Sequence, residues 1–134
     1  MREAKGGVIM ALMDKYSDLF QLANKIGMKD PDVKEETGKL KIKGKTEYQL
    51  ETNRLWDNIK THQGWENEIV ADIRPERTDI FGVVTVASGD TLSKLAKTYL
   101  GDTNRYMEIF KANGDLLTNP DQIKVGQQLK IPAR

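Results

Sequence analysis

Residues 84–99 read VTVASGDTLSKLAKTY. Val83 to Val86 is a β-branched run that suits a strand, and Gly89-Asp90 turns the chain. After the turn, Leu92, Leu95, Ala96 and Tyr99 fall at i, i+3, i+4 and i+7, which places them on one face of an α-helix. Asp90 or Thr91 supplies the side-chain oxygen that the first free N–H groups of such a helix require, and Gly101 supplies its stop.

Downstream, Thr103 or Asn104 opens a second helix with Tyr106, Ile109 and Phe110 facing inward, closed by Asn113-Gly114. Gly126 precedes Gln128 to Pro132, where Leu129 and Ile131 alternate with polar neighbours as in a half-buried strand. The order is strand, helix, helix, strand between residues 83 and 132. Two strands at the ends of so short a module pair most simply as antiparallel neighbours, with both helices on one face.

Upstream, the apolar positions Leu12, Met13, Tyr16, Leu19, Phe20, Ala23 and Ile26 recur at intervals of three and four, predicting a helix over 10–26 that Gly27 ends and Pro31 keeps from resuming. Lys39 to Lys45 alternates Leu40 and Ile42 with lysines, a period-two strand with one solvated face. A weaker pattern over Asp32 to Thr37 adds a strand before it. Residues 47–63 predict a helix carrying Leu50, Leu55, Trp56 and Ile59, and Glu68 to Ile73 predicts a further strand. Arg74 to Gly82, with its proline, glycine and mixed charge, reads as a linker. The expected organisation is α+β: an N-terminal α/β sandwich over 1–74, a linker over 75–82 and a βααβ module over 83–134.

Composition excludes several classes of function. The 134-residue chain has a formal net charge of +1 and neither half is strongly polarised, so nucleic acid is not the expected partner. The lysines of the 39–45 strand are offset by Glu35, Glu36 and Glu47. With no cysteine there is no disulfide and no thiolate chemistry. His62 is the one histidine and has no nucleophile motif to serve, so a hydrolytic triad is not expected and the chain reads as non-catalytic. No stretch reaches the ~18 apolar residues of a membrane span. Arg2 and Lys5 precede the apolar run Val8 to Met13, but the run is short, meets Asp14-Lys15 at once and lacks a small-residue cleavage site. The expected location is cytoplasmic, with the cell envelope as the alternative.

Three segments together carry a family resemblance: VTVASGDTLSKLAKTY at 84–99, YMEIFKAN at 106–113 and PDQIKVGQQLKIP at 120–132. In order and spacing they resemble the LysM domain, a small peptidoglycan- and chitin-binding module. The first half is similar, more faintly, to a BON domain, through Gly38 to Gly44, the long helix that follows and Gly64 before the last strand. It departs from that pattern at Trp65, where an aliphatic residue is usual. A BON domain followed by a LysM domain resembles the bacterial potassium-binding protein family (Kbp).

The resemblances imply two ligands. The first expectation is a potassium-binding protein that changes conformation with the ion. The alternative is a protein that binds N-acetylglucosamine-containing glycan. For the sugar, the LysM resemblance points to a shallow groove between two loops, which by position are Gly89, Asp90, Thr91 and Leu92, and Pro120, Asp121, Gln122 and Ile123. Leu92 with Ile123 would give it an apolar floor. For the ion, the free carbonyls at the C-terminal end of the 47–63 helix are partially negative, which nominates the carbonyls of Lys60, His62 and Gly64, completed by the segment near Val8 to Leu12 or by the linker. The basic side chains of Lys60 and His62 count against that site.

Overall fold

A computed structural model describes residues 12–133. The chain divides into two compact units, one ending at Glu76 and one starting at Arg77. Both mix helix and strand, and the fold class is α+β.

In the N-terminal unit residues 12–15 are helical and lead into α1 (Ser17–Ile26). The helix stops at Gly27, whose φ of 82° lets its N–H reach back to the carbonyls of Ala23 and Asn24. Strand β1 (Lys29–Glu36) pairs antiparallel with β2 (Lys39–Tyr48), with Val33 opposite Ile42 and Glu35 opposite Leu40. Helix α2 (Gln49–Lys60) begins where the Tyr48 N–H meets the Glu51 carboxylate at 3.0 Å. A one-turn helix α3 (Trp65–Glu68) leads into β3 (Ile69–Arg77), and the sheet order is β1-β2-β3.

The core of this unit joins Tyr16, Leu19 and Ala23 to Leu40 and Ile42 of the sheet, Leu55 and Ile59 of α2, and Ile69 and Ile73 of β3. The lysines at 39, 41, 43 and 45 stay exposed on the opposite face of β2. At the end of β2 the hydroxyls of Thr46 and Thr52 meet at 2.7 Å, so two buried polar groups satisfy each other.

Two expectations need correction here. The helix expected over 47–63 ends at Lys60, and residues 61–64 form a turn before α3. The linker expected over 75–82 is largely strand: β3 runs through Pro75 to Arg77, and β4 starts at Ile80. The physical reason is that β3 lies at an edge of its sheet, where proline's missing N–H breaks no ladder bond on the solvent side.

In the C-terminal unit β4 (Ile80–Thr85) pairs antiparallel with β5 (Gln128–Pro132), with Val84 opposite Leu129. Between them lie α4 (Leu92–Leu100), a 3-10 turn (Thr103–Arg105) and α5 (Tyr106–Ala112). Leu92, Leu95, Ala96, Leu100, Ile109, Leu117, Leu129 and Ile131 are buried. Removing a Leu or Ile side chain from water stabilises the fold by about 1.5–3 kcal/mol each, enough for a small core of this kind to matter. Thr91 caps α4 by accepting from the Lys94 N–H at 3.1 Å. Asp102, rather than Thr103 or Asn104, caps the second helical segment, accepting from the Asn104 N–H at 2.9 Å.

Candidate functional site

The two loops expected to form a sugar groove do face one depression. Its volume is about 320 Å³ and its lining is Asp90, Thr91, Leu92, Ser93, Tyr106, Pro120, Asp121 and Ile123. Six of the eight residues nominated from the sequence are there. Gly89 and Gln122 are not part of the lining. Gly89 serves the turn, with a φ of 88° and its carbonyl accepting from the Lys94 ammonium at 3.1 Å. Gln122 donates its N–H to the Asn119 carbonyl at 3.1 Å.

The loop conformations follow from local hydrogen bonds. Asp90 does not cap the helix; its carboxylate accepts from the Ala87 N–H at 2.8 Å and pins the first loop. The Asn119 side chain accepts from the Asp121 N–H, two residues on, at 2.9 Å, an Asx-turn that fixes the second loop. Thr91 and Leu92 enter α4, so the helix N-terminus lies at the groove wall. Leu92 is buried, so it belongs to the core as well as to the wall.

Ser93 and Tyr106 were not nominated from the sequence. The sequence pattern turns Tyr106 inward on the second helix, and in the structure it is half-buried where α5 begins. An amphipathic stripe shows which face turns inward but not that the face opens into a depression. Chemically, the lining combines an aromatic ring and apolar Pro120 and Ile123 with the hydroxyls of Thr91 and Ser93 and two carboxylates. Such a surface can cover the C–H face of a sugar while polar groups take its hydroxyls.

The nominated ion site comes out differently. The His62 carbonyl accepts from the Trp65 N–H at 3.3 Å and the Gly64 carbonyl from the Asn67 N–H at 3.1 Å. Between them, the Gln63 carbonyl accepts from the Lys15 ammonium at 2.6 Å. Lys15 also pairs with Glu68 at 2.6 Å, which holds that carboxylate below its ordinary range. The cation drawn to this end of α2 is thus the Lys15 side chain, and a potassium ion beside it would meet like charge. Of the nominated set, the His62 and Gly64 carbonyls each already accept one backbone N–H. Val8 to Ala11, expected to complete that set, lie outside the described residues.

The same corner ties α1 to α2. The His62 Nε2 lies 2.9 Å from an Asp18 carboxylate oxygen, and its Nδ1 lies 2.9 Å from the Asn58 carbonyl. The Tyr16 ring sits 4.5 Å from the imidazole, and its hydroxyl donates to Glu68 at 2.8 Å. Burial, and then the bond to Glu68, push the Tyr16 phenol well above its ordinary pKa, so it stays a donor. His62 thus joins the end of α2 to Asp18 of α1. Among the described residues no group of three or more histidine, aspartate or glutamate side chains is placed to hold a metal ion. No described helix is long and apolar enough to cross a membrane.

Comparison with known proteins agrees with the C-terminal geometry. Residues 84–132 match the LysM domain family. A 48-residue stretch, 36% of this chain and 32% of the relative, is 52% identical to a protein named potassium binding protein Kbp from Escherichia coli O6:H1. A 50-residue stretch, 37% of this chain and 19% of the relative, is 48% identical to an uncharacterized protein of Deinococcus radiodurans. The matches thus span a third or less of the length of these relatives. Both are about the size of one LysM module. Residues 84–132 of this chain are a LysM domain.

Proposed function

We propose that the chain is a non-catalytic binding protein whose LysM unit takes an N-acetylglucosamine-containing glycan, as in peptidoglycan or chitin, in the groove between the Asp90 and Asp121 loops. The observation that supports this reading is the convergence of Asp90, Thr91, Leu92, Pro120, Asp121 and Ile123 with the Tyr106 ring around one depression. Tyr106, Pro120 and Ile123 cover the sugar face and the acetamide methyl, while helix N-terminal N–H groups and the loop carboxylates take its polar edge. In this reading the protein works at the cell envelope. Calorimetric titration with N-acetylglucosamine oligomers, together with a pull-down on purified peptidoglycan, tests it: recovery of the protein with the glycan and saturable heat are expected. Absence of both overturns it.

A second reading is favoured by a specific observation, the 52% identity to a protein named for potassium binding. In it the chain is a cytoplasmic potassium binder, and the N-terminal unit, with its helix, hairpin, helix and strand, is a BON-like domain preceding the LysM unit. The order of the two readings is the reverse of that drawn from sequence alone: what supports it is the depression shared by the Asp90 and Asp121 loops, together with the hydrogen bonds that the His62 and Gly64 carbonyls already accept. Titration with potassium chloride against a sodium chloride control separates them: a potassium-specific heat without glycan binding establishes the second reading and removes the first.

A further inference from the structure

We infer that the LysM unit prefers acidic amino-sugar polymers over neutral ones, through a second depression in which Lys94 and Lys97 receive a carboxylate; this rests on the glycan reading above. The second depression, of about 470 Å³, is lined by Asp90, Ser93, Lys94, Lys97, Thr98 and Thr103. It shares Asp90 and Ser93 with the first, so the two form one continuous surface around the start of α4. A polymer seated by one sugar in the first places a neighbouring unit's substituent against the second.

The charge of the second depression differs from that of the first. Asp90 and Asp121 line the sugar groove, where no basic side chain stands. Lys94 and Lys97 are exposed and, three residues apart on a helix, project from one face. The Lys94 ammonium donates to the Gly89 carbonyl at 3.1 Å, which anchors a positive charge at the loop. Asp90, the one carboxylate here, already accepts from the Ala87 N–H. Among the described residues neither lysine makes an ion pair, so against the single Asp90 carboxylate the depression carries two ammonium groups. Thr98 and Thr103 add hydroxyls that can complete the hydrogen bonding of a carboxylate. The ligand class is therefore an amino-sugar polymer carrying carboxylates, either ether-linked to the sugar or at the end of a peptide substituent.

The test titrates the full chain with three glycan fragments of equal length. One is neutral poly-N-acetylglucosamine, one carries lactyl carboxylates, and one carries lactyl groups extended by stem peptides. The acidic fragments are expected to bind about fivefold more tightly at low salt, the scale of two solvent-exposed ion pairs. The ratio should shrink toward one as salt is added. The double variant Lys94→Gln, Lys97→Gln should bring the ratio to one at low salt; both positions are exposed, and circular dichroism confirms folding. Whichever acidic fragment shows the preference identifies the carboxylate recognised. Equal affinity for all three overturns the preference and leaves the glycan reading intact. A preference that survives in the double variant overturns the role of the lysines. Failure to bind any fragment overturns the glycan reading on which the inference stands.

Discussion

Asn113 grips Lys130 by both sides of its backbone: the Asn113 Nδ2 donates to the Lys130 carbonyl at 2.9 Å, and the Lys130 N–H donates to the Asn113 Oδ1 at 2.8 Å. The same Nδ2 donates to the Ile109 carbonyl at 2.7 Å, so one side chain closes α5 and fastens it to β5. Asn113 is 2% exposed, and replacement by alanine leaves three backbone groups without their partner in a buried place. Asn113→Ala should destabilise the C-terminal unit by about 2–4 kcal/mol, because each abandoned buried group costs about 1–3 kcal/mol before any rescue by water. Chemical denaturation followed by circular dichroism measures this. A loss under about 0.5 kcal/mol, the range of an ordinary surface substitution, would mean the clamp is not holding the helix.

The His62 and Asp18 pair makes the N-terminal unit sensitive to pH. Burial lowers the histidine pKa, but the bonds to the Asp18 carboxylate and the Asn58 carbonyl outweigh it, and the net shift is upward. A raised folded pKa means the stabilisation is complete below the unfolded value of about 6.5 and disappears as pH rises through the folded value. Asp18 shifts downward, because the bonds to His62 and Asn58 outweigh its burial. Its contribution is present above about pH 3.9 and is lost as pH falls through the lower folded value. The protonated Tyr16 ring packs on the same imidazole, and its hydroxyl leads on to Glu68 and Lys15, while the net shift of His62 stays upward. The unit should unfold more easily at about pH 8.5 than at about pH 6. His62→Gln should flatten that slope; an unchanged slope removes the pair from the account.

Gly44 and Met28 are packed in a way that couples them. A β-carbon on Gly44 would stand 2.5 Å from the Met28 sulfur and 2.8 Å from its Cγ. Gly44→Ala should cost about 1–2 kcal/mol, moderated by methionine's flexible side chain. Met28→Ala in the same chain should recover most of that loss. Urea denaturation of the two single variants and the double variant forms the cycle, and strictly additive effects would show that the two positions do not meet.

Tyr106 is expected to carry much of the sugar affinity. Tyr106→Ala should weaken binding of an N-acetylglucosamine oligomer about tenfold, the scale of one aromatic contact, whereas Tyr106→Phe keeps the ring and most of the affinity. Thermal unfolding of both variants separates a binding effect from a folding one. An alanine variant that is folded and binds as well as the parent places the sugar elsewhere.

What the sequence made legible was local. The Leu92, Leu95, Ala96 and Tyr99 stripe, the glycine at 101 and the Leu129 and Ile131 alternation each encode their element within a few residues, and the structure has them in place. The sequence reading carries α2 on to Gly64, whereas the Thr61 and His62 N–H groups bond three residues back, to Asn58 and Ile59, and tighten the chain into a turn after Lys60. Pro75 suggested a break because its tolerance depends on β3 being an edge strand, a property of the assembled sheet. Asp90 looked like a helix cap as much as Thr91 did, and only the three-dimensional loop shows which oxygen meets which N–H. The groove loops could be located by resemblance, but Tyr106 required the packing of α5 against them to be known.

Trp56 and Trp65 meet edge to face, with ring centroids 5.9 Å apart and planes at 75°. The chain has two tryptophans, and both belong to the unit that ends at Glu76. Indole emission is therefore an intrinsic optical label for that unit, needing no dye and no engineered residue. Under the potassium reading, an ion bound within the N-terminal unit is expected to change the emission of this pair. Under the glycan reading, a sugar beside Tyr106 is expected to change tyrosine emission, so the two ligand readings call for different colours in a single cuvette.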